Sequence, residues 1–512
     1  MRFRTLLLTC AGFVSLVAPA SAQDIESSAH TDTTPDLSEM SGAELWEGMM
    51  DRLRKSDLSG VRPYALALER FSTDAHDRAV VKTFLGAAEM GDGNRERALA
   101  MWEEANHVAD VSKLLTFQFL IALTATDKPL AGQILDEMLV VSPAAVRALH
   151  PEALREVVTT EDHRYDQVMK DRIVRLAEME MASRYAWLPL FASMFILEQD
   201  ATEIDRAWQQ LDRIGYSSLV QQALTDRRLE PLWPQLEAKY SDGLQSLQDE
   251  EIEKKASALD EDDIGSVTSF MHTLMEAGEL DRALELSDGK GPVRGEFASI
   301  ETEEEAWFIN ARAILLDHLG RTEEADALYA ELVEGHLDAE DRIGIVNFAI
   351  NWVEQMVGNS QFERAREALD MAQAAADKGN ATPYAYQLIA RQRYCVLTRT
   401  GASAEAIESA REEMAENREE ALLATAEAYV CAGERDKAAE IFVEMLQHEG
   451  QRWRAVEALQ PFTSASARSD PSLWRIDWAD LRDDPEVDAA YLAVARDLPP
   501  AFRLKDQLVS AQ

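Results

Sequence analysis

Cysteine is nearly absent: the 512 residues hold three. That excludes a small disulfide-built domain and a cysteine-rich zinc module. Basic residues are also scarce, 51 lysines and arginines against 93 acids, for a formal charge of −42. Such a chain repels nucleic acid and anionic lipid. It suits cationic partners, loose capture of divalent ions, or simply a solvated surface of the kind found in salty habitats. Long apolar runs are missing beyond the first twenty residues. The longest, Tyr185 to Leu197, has thirteen residues, too few to cross a bilayer and the right length for a buried helix. Strand-like alternation between turn signals is absent throughout.

Reaction motifs are missing too. The nine histidines are scattered, with no His-Glu-x-x-His. His163, His318 and His336 are most simply surface or groove residues. The acidic loop Asp260-x-Asp262-x-Ile264-Gly265 starts like a calcium loop but has isoleucine at the fifth position and Met271 at the twelfth. Gly289-Lys290 lacks the upstream glycine of a phosphate loop, and no Gly-x-Ser-x-Gly occurs. Carboxylate pairs are too common in so acidic a chain for any to be singled out. No cofactor and no metal site is expected.

The N-terminus carries a signal. Met1-Arg2-Phe3-Arg4 is basic, Thr5 to Val17 is apolar, and Ala20-x-Ala22 precedes Gln23. Cleavage is expected after Ala22, with export to a bacterial periplasm, leaving 49 basic residues against 93 acids. Cys10 invites a lipoprotein reading, but Thr9 stands where glycine or alanine is needed, and too few apolar residues precede the cysteine. Residues 23–41 are rich in Ser, Thr, Asp and Glu and read as a disordered leader.

What is present is a helical hairpin. Ala306 to Leu332 holds two apolar helical patterns around Leu319-Gly320-Arg321-Thr322. Phe308, Ala311, Ala313, Leu315 and Leu316 form one face; Ala325, Leu328, Tyr329 and Leu332 form the other. Gly320 sits where a helix needs a left-handed cap. The unit recurs at Leu85 to Ala105 and around Phe119, Ala131, Leu135 and Met138. In the C-terminal half, turn residue and small residue pair as Gly278/Ala283, Gly320/Ala325, Ser360/Ala365, Gly401/Ala406 and Gly433/Ala438, spaced by 42, 40, 41 and 32 residues. The chain divides into a helical lobe over 42–240, an acidic linker or exposed helix over 241–263, and an array over 264–512. Asp226-Arg227-Arg228-Leu229 and Asp484-Pro485-Glu486-Val487 echo one another where arrays should end, so both read as caps.

These residues resemble the tetratricopeptide repeat, whose unit has small residues at positions 8 and 20, glycine at 15, an aromatic at 24 and alanine at 27. Ala313, Gly320, Ala325 and Tyr329 match in one unit. Gly86, Gly93, Ala98, Trp102 and Ala105 match in a second; Ala426, Gly433, Ala438 and Phe442 match in a third. The resemblance covers about 264–446 and 79–138. It implies an all-α fold, a right-handed solenoid of helical hairpins in two lobes, whose first helices line a concave groove.

On that pattern Trp307, Asn310, Ile314, Asp317 and His318 face the groove, as do Leu388, Arg391, Cys395, Thr398 and Arg399. Glu420, Leu423, Glu427, Val430 and Cys431 follow from the next unit, with Glu354 and His272 from two others. The candidate partner-binding residues are therefore Trp307, Asn310, Asp317, His318, Arg391 and Arg399. Arg391 and Arg399 could take a carboxylate, a peptide C-terminus or an acidic side chain. The alternative is intramolecular pairing with Glu354 or Glu427. Trp307 is either an exposed anchor or covered by the preceding turn. Cys395 and Cys431 lie on facing helices, but the pattern offsets them by one helical turn, which favours two separate buried thiols over a disulfide. The functional expectation is an exported, non-enzymatic scaffold that binds protein or peptide in the cell envelope, not nucleic acid and not as an integral membrane protein. The alternatives are a helical-solenoid enzyme acting on the cell wall, with Pro151 to Asp263 as its only room, and a self-assembling structural protein.

Overall fold

The computed structural model describes residues 37–108, 111–158, 165–179, 185–292, 294–300, 302–337, 344–379, 381–460 and 478–503. The signal segment, Cys10, His163 and most of the leader lie outside these residues. The described residues are all-α, with 26 α-helices, short 3-10 turns and no strand. No described helix is long and apolar enough to cross a membrane.

The chain forms two compact units, residues 1–195 and 196–512. Unit 1 contains α1 (Gly42–Arg54), α2 (Arg62–Leu68), α3 (Ala75–Gly91), α4 (Arg95–Ala105), α5 (Ser112–Thr124), α6 (Lys128–Val141), α7 (Pro143–Ala148), α8 (Pro151–Val158) and α9 (Gln167–Glu178). Helix α10 (Leu188–Gln199) runs across the division. Within unit 1, α3 and α4 form the hairpin legible at Leu85 to Ala105, and α5 and α6 form the next. Gly86 leaves room for the Trp102 ring, whose Nε1 donates to the Thr83 carbonyl at 2.9 Å.

Unit 2 begins with α11 (Ile204–Leu211), α12 (Ser217–Thr225), α13 (Trp233–Lys239) and α14 (Gly243–Ala258). The stretch read as an acidic linker or exposed helix is thus mostly helix, anchored by buried Leu244, Leu247 and Ile252. Paired helices follow: α15 (Ile264–Glu276) with α16 (Leu280–Ser287), α17 (Glu303–His318) with α18 (Thr322–His336), and α19 (Ile345–Gly358) with α20 (Phe362–Gly379). Then come α21 (Pro383–Arg399) with α22 (Ala404–Glu416) and α23 (Leu422–Cys431) with α24 (Arg435–Gln447), before α25 (Arg452–Ala458) and α26 (Pro485–Val494).

One turn geometry repeats through both units. Gly93, Gly278, Gly320, Ser360, Gly401 and Gly433 all take positive φ, between 59° and 82°. At Gly320 the amide of Arg321 donates to the Leu316 carbonyl (2.8 Å) and that of Gly320 to Asp317 (2.9 Å). These two bonds close the paired cap that ends a helix in a left-handed residue. Five residues after the turn, Ala98, Ala283, Ala325, Ala365 and Ala438 are completely buried. Ala406 is only half-buried, and α22 is anchored instead by Ala410 and Met414.

Caps explain the clustered acids. Glu303, Glu304 and Glu305 occupy the first turn of α17, where the helix dipole favours anions, and Thr302 caps the Glu305 amide. In the calcium-like loop Asp263 accepts from Gly265 and Ser266 as the N-cap of α15. Among the described residues no group of three or more histidine, cysteine, aspartate or glutamate side chains is arranged to hold a metal ion.

Unit 2 returns to its own beginning. Asp226 and Ala495 form an antiparallel bridge. Arg496 donates from its backbone to Thr225 (3.0 Å), from Nε to the Leu224 carbonyl (2.7 Å) and from Nη2 to Glu237 (2.7 Å). Its guanidinium stacks 3.7 Å from the Trp233 ring centroid. Gly243, at φ +81°, lies so close to the Ala501 carbonyl that a Cβ would sit 2.4 Å from that oxygen. The two echoing cap motifs share one local geometry. Asp226 (φ −71°, ψ 119°) accepts from the Arg228 amide, and Asp484 (φ −74°, ψ 120°) from the Glu486 amide. The cap segments of the array meet each other.

Candidate functional site

Five helices of unit 2, α17, α19, α21, α23 and α25, contribute to one cavity of about 480 Å³. Four of them are the first helices of successive hairpins. Trp307 and Leu388, Ile350 and Leu423 supply apolar wall; Asn347 and Asn351 supply amides. Tyr384, 45% exposed, lies at its lining with Arg454 and Glu457.

The charged element of the wall is a buried triad. Arg391 of α21 is 0% exposed and pairs through Nη2 with Glu354 of α19 and through Nη1 with Glu427 of α23. Glu354 and Glu427 are 3% and 1% exposed. Two carboxylates thus flank one guanidinium. The intramolecular alternative therefore describes Arg391: its charge is spent inside the protein, and it offers no fork to an acidic ligand.

The triad belongs to a row of links between α21 and α23. Gln387, Arg391 and Cys395 stand four residues apart, on one helix face. Gln387 Nε2 donates to Thr425 Oγ1 at 3.0 Å, Arg391 pairs with Glu427, and Cys395 is disulfide-bonded to Cys431 with Cα atoms 5.5 Å apart. The expectation of two separate thiols is corrected here. Arg391–Glu427 and Cys395–Cys431 share a sequence separation of 36, so both pairs hold the same register. The expected offset of one turn is absent: the helix starts at Pro383, whose fixed φ suits the first turn, and Cys395 lies level with Cys431.

The remaining expected groove residues are engaged in different ways. Trp307 donates from Nε1 to Glu303 (3.0 Å) and packs edge-on against Phe348 with centroids 5.0 Å apart, while still lining the cavity. Asn310 is buried, its Oδ1 accepting from Tyr329 Oη and Asn351 Nδ2, each at 2.8 Å. Burial holds the Tyr329 hydroxyl well above its ordinary pKa, so it remains a donor. Asp317 accepts from Asn359 Nδ2 (2.7 Å) and Thr322 Oγ1 (3.0 Å), bracing the turn between helices. His318 is half-buried at the end of α17, away from the cavity lining. Arg399 is exposed and sits over the Phe362 ring, 5.0 Å from its centroid. Of the six candidates the cavity brings together Trp307 and Arg391.

Tyr384, Asn347, Arg454 and Glu457 were not legible as site residues. Tyr384 lies in the unforeseen first turn of α21, and α25 carries no repeat signature that could assign a groove position. Asp200, which follows α10, is held below its ordinary range by hydrogen bonds from the Thr202 hydroxyl and amide.

Comparison with protein-family models, curated proteins and solved structures finds no match.

Proposed function

We propose that the chain is an exported, non-enzymatic scaffold of tetratricopeptide-like hairpins that holds a protein or peptide partner in the cell envelope. The observation that carries this reading is the cavity itself. Equivalent helices of consecutive hairpins face one concavity, and that is how repeat arrays present a binding surface. Its mixture of aromatic, aliphatic and amide lining suits a peptide segment. Tyr384 supplies an exposed aromatic of the kind enriched at binding hot spots. The disulfide between Cys395 and Cys431 supports an oxidising compartment, in keeping with the basic, apolar and small-residue parts of the first 22 residues.

The test is site-specific photo-crosslinking in intact cells, with a benzophenone amino acid replacing Tyr384. One dominant adduct, absent when the same residue replaces exposed Leu66, is the expected result. Adducts only with the protein itself would replace this reading with self-assembly, and an indiscriminate spread would remove the groove as a binding site.

A further inference from the structure

We propose that the Cys395–Cys431 disulfide is a redox clasp on this groove. Opened by a dithiol, it frees the end of α23, and the array releases its partner while staying folded. This rests on the partner-binding reading above and adds the regulation of that site.

The covalent link stands at the weakest junction of the array. The first helices of the five hairpins, α15, α17, α19, α21 and α23, have 13, 16, 14, 17 and 10 residues. Helix α23 is thus the shortest. Ala421 at its N-cap makes no side-chain bond to the first turn, whereas Asp263, Thr302 and Thr382 cap α15, α17 and α21. Helix α19 also lacks such a cap but is 14 residues long. A short uncapped helix depends on its neighbours for stability. Helices α15, α17 and α19 contain no cysteine and pack in series without a covalent link. The fold of the array therefore does not require a disulfide; the α21–α23 junction has one.

The clasp reaches the cavity through the two helices it joins. Ala385, Leu388 and Arg391 line the cavity from α21, and Leu423, Ala424 and Glu427 line it from α23. Cys395 lies one turn beyond Arg391 and Cys431 one turn beyond Glu427, so ion pair and disulfide are successive rungs between the same helices. With the disulfide open, Gln387–Thr425 and Arg391–Glu427 still join the first two turns of α23 to α21. At the far end the contact between the Tyr394 and Tyr429 rings is left to hold the last turn. Burial sets the direction of opening. Cys395 is 0% exposed, whereas Cys431, the last residue of α23, is partly buried. A thiolate of the dithiol approaches from the Cys431 side and attacks its Sγ; a mixed disulfide forms and Cys395 leaves as the thiolate. The second thiol then attacks its partner sulfur in the mixed disulfide, which closes the dithiol's own disulfide and releases Cys431. The dithiol loses two electrons and two protons, and the two cysteines gain them as thiols.

The experiment is hydrogen exchange read by mass spectrometry on the purified full chain, before and after treatment with dithiothreitol. Reduction should speed exchange of the α23 amides by about tenfold and leave α15 and α17 as protected as before, with circular dichroism unchanged. A pulse of iodoacetamide during reduction should label Cys431 ahead of Cys395. A disulfide that dithiothreitol opens only once urea is added would overturn the clasp, as would reduction that leaves α23 fully protected. Acceleration spread evenly over unit 2 would overturn it too, by making the disulfide a general staple. The link to binding is read by repeating the Tyr384 crosslink in cells on a chain carrying Cys395→Ala and Cys431→Ala. The adduct should fall several-fold, while circular dichroism of the purified double variant matches the parent. If the double variant does not fold, brief dithiothreitol treatment of cells carrying the parent disulfide takes its place. An equal adduct with and without the disulfide overturns the clasp and leaves the groove standing. No adduct in either case removes the groove reading, and the clasp with it.

Discussion

Asp226 and Ala495 pair as an antiparallel bridge that joins the end of unit 2 to its beginning. An open array of hairpins leaves two apolar faces that need caps. Here the cap segments cover one another, with Arg496 as the central link to Leu224, Glu237 and Trp233.

Arg496→Ala removes one ion pair, one side-chain bond to a carbonyl and a stacked cation. A loss of about 2–3 kcal/mol is expected. Urea denaturation should show it as an earlier midpoint for unit 2, and Arg496→Lys should fall between variant and parent. A midpoint unchanged by Arg496→Ala would mean that closure adds nothing to stability.

The hairpins could be read from the chain because their signal is local. A residue with positive φ and an alanine five positions later are fixed by one turn and one helix crossing, as at Gly320 and Ala325. The closure of unit 2 was visible only as an echo between Asp226 and Asp484, since contact between distant caps leaves no periodicity. The site was half legible for a related reason. Repeat positions put Trp307, Glu354, Arg391 and Glu427 toward the same face, yet an isolated Arg391 reads as available charge. Only the packing of α19 and α23 against α21 shows that its charge is consumed. Likewise Tyr384 depends on where α21 starts, and a helix start is the least certain thing in a sequence.

The disulfide should contribute substantially to stability. Linking Cys395 to Cys431 closes a loop whose ends are 36 residues apart. Loop-closure entropy for that length corresponds to about 4 kcal/mol. Replacing both cysteines with alanine should lower the unfolding free energy by most of that amount, and reductant should then have no further effect. Equal stability of parent and double variant, with the parent's disulfide verified by mass, would show that α21 and α23 are held by their other links alone.

Removing only the cation of the buried triad should be costly. Arg391→Met leaves Glu354 and Glu427 facing each other without compensation, at a cost of about 3–5 kcal/mol. Combining it with Glu354→Leu and Glu427→Leu removes the uncompensated charge as well. That triple variant should recover most of the loss, because well-packed apolar replacements of buried ion networks are often neutral. Chemical denaturation of the single and triple variants gives the comparison. A triple variant no more stable than Arg391→Met would mean that the cost arises from packing around the guanidinium rather than from charge.

His272 should make unit 2 sensitive to mild acid. Burial, with Lys255 as a second cause, holds its pKa below the ordinary 6.5. The unfolded chain therefore takes up a proton near pH 6.5 that the folded chain still refuses. This group's contribution is fully present above 6.5 and is lost as pH falls toward the lower folded pKa. Between pH 7.5 and 5.5 the parent should lose more stability than His272→Gln, which has no proton to bind. Lys255→Met should leave part of the effect, since burial is the larger cause. Urea midpoints at the two pH values measure the difference, and parallel slopes for parent and His272→Gln would show that His272 is protonated as readily folded as unfolded.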